Sequence, residues 1–174
     1  MTGENRGWQA TRAESLRVPY ATCDSSLGDG RTGVTLDDNK QVFRRFVDQV
    51  MNQGNLSAID DIMTPDFVEH EHMPPGIPLN RDGVKQFFSI LHGAFSNVHA
   101  RIDDEIAEGD KVVARLTVRA EHTGVFAGIP ATGRHVSFEV IDICRIANNR
   151  MLEHWGITDQ MALLQHLGAA PGPG

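Results

Sequence analysis

Basic residues are in deficit in this chain of 174: sixteen lysines and arginines stand against 23 acidic residues, a formal charge of -7. Phosphate binding depends on lysine and arginine, so nucleic acid and anionic membranes are excluded as partners, and a neutral or cationic small molecule fits better. Cysteine is nearly absent too. Cys144 falls in an apolar stretch and Cys23 in a polar one, which argues against a structural disulfide and for a reducing, cytoplasmic setting. No apolar run reaches the roughly 18 residues of a membrane span, and residues 1–36 lack the apolar middle of a secretory signal. Two kinds of catalytic signature are missing as well. There is no G-x-S-x-G elbow for a serine nucleophile, and Gly124-Val-Phe-Ala-Gly128 joins strands and opens no helix, so no nucleotide or other cofactor is expected.

What is present is a globular composition, with 40% hydrophobic and 22% charged residues. Residues 1–36, rich in Gly, Ser, Thr, Asp and Arg, read as a mobile leader, and residues 169–174 as a flexible tail. Residues 37–168 form the expected folded domain. Val42, Phe43, Phe46, Val47, Val50 and Met51 make an apolar stripe at helical spacing, with Asp37 or Asp38 as its cap and Gly54 at its end. Asn55 to Met63 reads as a second short helix closed before Pro65, Phe67 to His72 as a short strand, and Arg81 to Phe95 as a third helix. The period then changes to two. Val112, Ala114, Leu116, Val118, Ala120 and His122 share one face of a strand, opposite Arg115, Thr117, Arg119 and Glu121. Stretches 98–108, 134–146 and 150–158 complete a four-strand meander, and Asp159 caps a last short helix. The expected class is α+β: three N-terminal helices on one face of a curved antiparallel sheet, plus the short C-terminal helix.

Asp142 interrupts the apolar run of its strand, and its partner depends on the turn that follows. A two-residue Asn148-Asn149 loop pairs Asp142 with Trp155; a three-residue loop including Ala147 pairs it with His154. The three-residue loop keeps Glu139, Arg145 and Glu153 on one face and puts Phe138, Val140, Asp142, Cys144, Leu152, His154 and Gly156 on the other. On that reading Asp142 and His154 face each other with Cβ atoms about 4.5–5.5 Å apart. A desolvated carboxylate and imidazole suit acid/base catalysis, and such a pair serves equally as a satisfied structural hydrogen bond. His70 and His72, on one side of their strand, form half a metal site, but no second ligand cluster accompanies them, so no metal is expected. His122 ends its apolar face, looking either into the cavity of His154 or half out to solvent.

Several segments occur in order at familiar spacing: Val42-Phe-Arg-Arg-Phe46, Asn52-Gln-Gly-Asn-Leu56, Pro65-Asp-Phe-Val68, the loop from Gly124 to Gly133, and Glu153-His-Trp155 followed by Asp159 and Leu163-Leu-Gln-His-Leu-Gly168. Together they resemble the SnoaL-like polyketide cyclase, or ester cyclase, family over Asp37 to Gly168. The resemblance implies the nuclear-transport-factor-2-like fold, a cone-shaped α+β barrel around an apolar pocket, often a homodimer through the sheet. It also implies a cofactor-independent cyclase or isomerase acting on a polyketide-like substrate. Epoxide-hydrolase-like water activation and a non-catalytic binding or dimerisation domain are alternatives on the same fold. The aldol cyclases of the family carry an acid at the position of Gly156 and a histidine at that of Asp142, so either the acid/base pair has exchanged strands here or the aldol activity is absent. Carried onto this chain, the expected roles are Asp142 as base or base-orienter, His154 as proton shuttle, His122 and His70 as pocket donors, and Phe126, Phe138 and Val140 as the apolar wall.

Overall fold

A computed structural model describes residues 35–172. The leader expected over residues 1–36 lies outside the described residues except for Thr35, which caps the first helix, and Leu36, which begins it. That helix, α1 (Leu36–Arg45), is capped by Thr35. The Thr35 hydroxyl accepts from Asp38 N–H at 3.1 Å, and Asp38 accepts from Thr35 N–H at 2.8 Å. This reciprocal capping box gives Asp38 a role at the third position, so the cap lies two or three residues earlier than expected.

The backbone continues from α1 as a π-helical stretch, Phe46–Asn52. The stripe fits the change of pitch. Val42, Phe46 and Val50, and likewise Val47 and Met51 after Phe43, repeat every four residues, a period that runs ahead of one face on a 3.6-residue helix and falls behind it on the wider one, so the two stretches in succession keep the row on one face. All six side chains are buried.

The expected second helix shrinks to a 3₁₀ turn, Leu56–Ala58, and a single turn α2, Ile59–Ile62. Met63 has left the helix to begin strand β1 (Met63–Glu69), where it pairs with Met151. Pro65 is tolerated because β1 is an edge strand. Next come α3 (Arg81–Ala94), β2 (Phe95–Glu108), β3 (Lys111–His122), β4 (His135–Ala147), β5 (Arg150–Thr158) and α4 (Gln160–Leu167), with Asp159 capping α4 as expected.

The sheet order is β1-β5-β4-β3-β2, and β1 runs parallel to β5. The sheet is therefore mixed rather than wholly antiparallel. Its concave face follows the expected alternation: Val112, Ala114, Leu116, Val118, Ala120 and His122 are all buried. Val112, Ala114, Leu116 and Val118 pack with the α1 stripe, Ile59, Ile62 and Phe88 in one core, and Ala120 with Phe95, Val136 and Leu163 in a second, while Val113, Ile141 and Ile157 are exposed. No helix among the described residues is long and apolar enough to cross a membrane.

The last hairpin corrects the expected register. Asn148 and Asn149 have φ of 51° and 59°, and Ala147 pairs with Arg150, so the loop has two residues. An irregularity then intervenes between Ile146↔Met151 and Arg145↔Glu153. The extra residue, Leu152, is a β-bulge, and it restores the parity that the short loop would have reversed. Asp142 pairs with Gly156 and Cys144 with His154. The inward face is thus the expected one from His154 onward, but Met151 replaces Leu152 in the core, buried to 1% exposure.

Candidate active site

Between the concave face and the helices lies a cavity of about 600 Å³. Phe87 and Leu91 of α3, Phe138 and Val140 of β4, Phe126 of the loop before β4 and Leu163 of α4 give it apolar walls. Glu71, Asp142 and Thr158 meet at one polar part of the lining. Among the described residues, no lysine or arginine lines the cavity.

Behind the polar part, His154 is clasped by two carboxylates. Its Nδ1 lies 2.8 Å from Glu69 Oε1 and 3.0 Å from Oε2, and its Nε2 lies 3.1 Å from Asp142 Oδ1. Ionised carboxylates only accept hydrogen bonds, so both ring nitrogens carry protons and the imidazole is a cation. Burial alone would strip that proton, but the hydrogen bonds and negative charges of Asp142 and Glu69 outweigh it and raise the pKa from 6.5 to about 10. Glu71 N–H donates to Glu69 Oε1 at 2.9 Å, and Thr158 O–H donates to Glu71 Oε1 at 3.3 Å. Burial pushes the Glu71 carboxyl above its usual range, with the charges of Asp142 and Glu69 adding and that of His154 opposing. Cys144, opposite His154 on β4, is a free and buried thiol whose pKa burial drives well up.

The expected site residues divide. Asp142, Phe126, Phe138 and Val140 line the cavity, and His154 backs it through Asp142. Asp142 and His154 are in contact as expected, but diagonally, because the bulge shifts the direct partner of Asp142 to Gly156.

His70 and His122 do not line the cavity. Phe67 and Glu69 face inward on β1, so His70 points to the other side of the sheet. There it stacks on Trp155 with ring centroids 4.5 Å apart and bonds Glu153 at 2.8 Å. His122 is wholly buried against Phe95, its Nδ1 3.0 Å from the Thr132 hydroxyl.

Sequence reasoning missed Glu69 and Glu71. For Glu69 the signal was parity: with Phe67 inward, Glu69 follows it and His70 does not. Glu71 and His72 both reach the cavity from beyond the end of the strand, where parity no longer applies.

An apolar cavity with acid/base groups at one part of a curved sheet, covered by helices, agrees with the match of residues 41–167 to the SnoaL-like polyketide cyclases. The chain belongs to the SnoaL-like polyketide cyclase family. Nogalonic acid methyl ester cyclase of Streptomyces nogalater is 27% identical over 119 residues, covering 67% of this chain and 88% of that protein. Aklanonic acid methyl ester cyclase of Streptomyces sp. strain C5 is 30% identical over 130 residues, covering 71% and 80%. Among solved structures, TsrD from Streptomyces laurentii superposes with a TM-score of 0.71 at 27% identity, covering 79% of this chain and all of that one. IdmH from Streptomyces antibioticus gives 0.67 at 28%, covering 75% and 98%. The fold is that of this family, a nuclear-transport-factor-2-like cone.

Proposed function

We propose that the protein is a cofactor-independent cyclase or isomerase that closes a ring in an uncharged, polyketide-like carbonyl compound by acid/base catalysis. The observation that carries this reading is the Asp142 carboxylate in the wall of an apolar cavity, held by the His154 cation at 3.1 Å. A carboxylate fixed there takes a proton from carbon flanked by carbonyls, and the apolar walls fold the substrate and exclude water. Both nitrogens of His154 are engaged, so we assign it to orienting Asp142 and not to shuttling protons. Phe126, Phe138 and Val140 supply shape. An uncharged substrate is favoured because, among the described residues, no lysine or arginine lines the cavity to meet an anion.

Epoxide opening with an arginine between two acids has less support. Arg115 sits on the outer face, 3.3 Å from both Asp103 and Glu139. We further propose a cytoplasmic homodimer paired through the exposed row of Val113, Ile141 and Ile157, which light scattering of wild type and Ile157→Lys tests.

The cyclase test uses the substrates named for the two relatives, aklanonic and nogalonic acid methyl esters. Ring closure yields an isomer of unchanged mass, separable by chromatography. Wild type is expected to accelerate it and Asp142→Asn to lose about 100-fold or more, the usual weight of a general base. Binding of either ester without any new isomer would instead favour the non-catalytic reading.

A further inference from the structure

Gly156 is the direct cross-strand partner of Asp142, and it has no side chain. The space a side chain would take there is already filled. A Cβ built on Gly156 would lie 2.5 Å from Glu71 Oε2, 3.0 Å from Glu71 Cδ and 2.9 Å from His154 Cε1. The Glu71 carboxyl, arriving from the segment after β1, therefore stands where a residue opposite Asp142 would project.

The three carboxyl groups around His154 are not equivalent. Glu69 is committed to His154 and to Glu71 N–H, and Asp142 to His154. Glu71 has only the long 3.3 Å bond from Thr158, and among the described residues its Oε2 has no hydrogen-bond partner. Unlike Glu69, it lines the main cavity. Two acids in one wall, one held by a cation and the other desolvated beside negative charge, are set up for opposite halves of a proton transfer.

We propose that Glu71 is the proton donor of this site, paired with Asp142 as base, and that Gly156 is glycine to admit its carboxyl. The assignment rests on the acid/base cyclase reading above. Asp142 removes a proton from the carbon between two carbonyls and leaves an enolate. The enolate carbon bonds to a ketone carbon, and that ketone oxygen takes the Glu71 proton as its π bond breaks. Asp142 ends protonated and Glu71 ionised, and return of one proton from the first to the second through solvent resets the enzyme. The substrate gains and loses nothing overall. Burial raises the Glu71 pKa, the direction that favours a proton donor over a second base.

The experiment uses the full chain in two arms. In the first, glutamate side-chain carboxyls are labelled with carbon-13 and titrated by NMR without ligand, Glu71→Gln identifying the resonance. Glu71 is expected to titrate above the other glutamates, and titration among the exposed ones overturns the assignment. In the second, aklanonic acid methyl ester is turned over. Glu71→Gln, which keeps shape and fold, is expected to lower kcat about 100-fold with KM changed less than about threefold. Glu71→Gly with Gly156→Asp is expected to recover about tenfold over Glu71→Gly alone, which separates proton donation from packing. An active wild type matched by an equally active Glu71→Gln variant overturns the Glu71 assignment alone. Wild type as inert as Asp142→Asn overturns the cyclase reading, and the assignment with it.

Discussion

Asp142 and His154 meet at 3.1 Å from diagonal positions, two residue pairs apart on the ladder between β4 and β5. Leu152 makes the meeting possible. Its bulge turns the one-residue offset of a two-asparagine loop into an even one, and so returns His154 to the concave face.

The loop itself is open to test. Asn148 and Asn149 both have positive φ, where asparagine is tolerated and a β-branched residue is not. Asn149→Gly is expected to leave stability within about 0.5 kcal/mol of wild type or raise it. Asn149→Val is expected to cost about 1–2 kcal/mol in urea unfolding. Equal stability of the two variants would refute the two-residue turn.

Removing the imidazole leaves Glu69 and Asp142 buried without their shared cation. His154→Ala is expected to destabilise the fold by about 3–5 kcal/mol, the scale for breaking a buried pair on one side. Adding Asp142→Asn to that variant should return part of the loss, since one of the stranded charges is then gone. Chemical denaturation of the four proteins gives the coupling. Strictly additive losses would mean that the two residues do not interact.

The pH dependence of stability has a definite sign. His154 holds its proton in the folded state up to about pH 10, against 6.5 ordinarily, so its contribution is complete below pH 6.5 and is lost as pH rises towards 10. The Glu71 carboxyl is also raised, from 4.5, and it likewise weakens the fold as it ionises. Unfolding free energy is expected to fall between about pH 6.5 and 10 in wild type, and to fall less in His154→Gln with Asp142→Asn. The check is a set of urea transitions across that range. A flat wild-type profile would show that His154 is not protonated in the fold.

How much of this was legible in the sequence depends on how local each feature is. The α1 stripe and the strict alternation from Val112 to His122 are carried by neighbouring residues, and both lie as read. So does the face of Asp142, because charge segregation along β4 selects it whatever the loop. The register does not, since a short turn and a bulge cancel in parity and differ only in which residue is opposite. β1 was placed too late and its direction left unread. A parallel edge strand shares no hairpin with its neighbour, so nothing near Glu69 announces that His154, 85 residues on, is its partner. The distant contact brings in the second and third carboxyl groups of the site, and with them the part of Glu71 that no local pattern displays.

The rim of the cavity carries strain that can be measured. Phe126 and Ile129 bond each other's backbones across a two-residue turn in which Ala127 has φ of 49° and Gly128 of 80°. Alanine in the left-handed region costs about 1–2 kcal/mol, which glycine does not incur. Ala127 also lines the cavity next to Phe126, whose ring packs 5.1 Å from that of Phe95. The strain is thus held where the turn presses an aromatic ring onto the pocket, an arrangement that limits where a substrate ring can lie. Ala127→Gly removes the steric cost and adds freedom to the unfolded chain, and the two effects oppose each other. The first is the larger at a left-handed site, so a net gain of up to about 1 kcal/mol is expected in urea unfolding. Turnover should not rise with it. A looser Phe126 raises KM for a bulky ester while leaving kcat, set by Asp142 and Glu71, unchanged within about twofold. A variant no more stable than wild type, or one whose kcat falls instead of its KM rising, would mean that Ala127 is not strained or that its turn takes part in the chemistry.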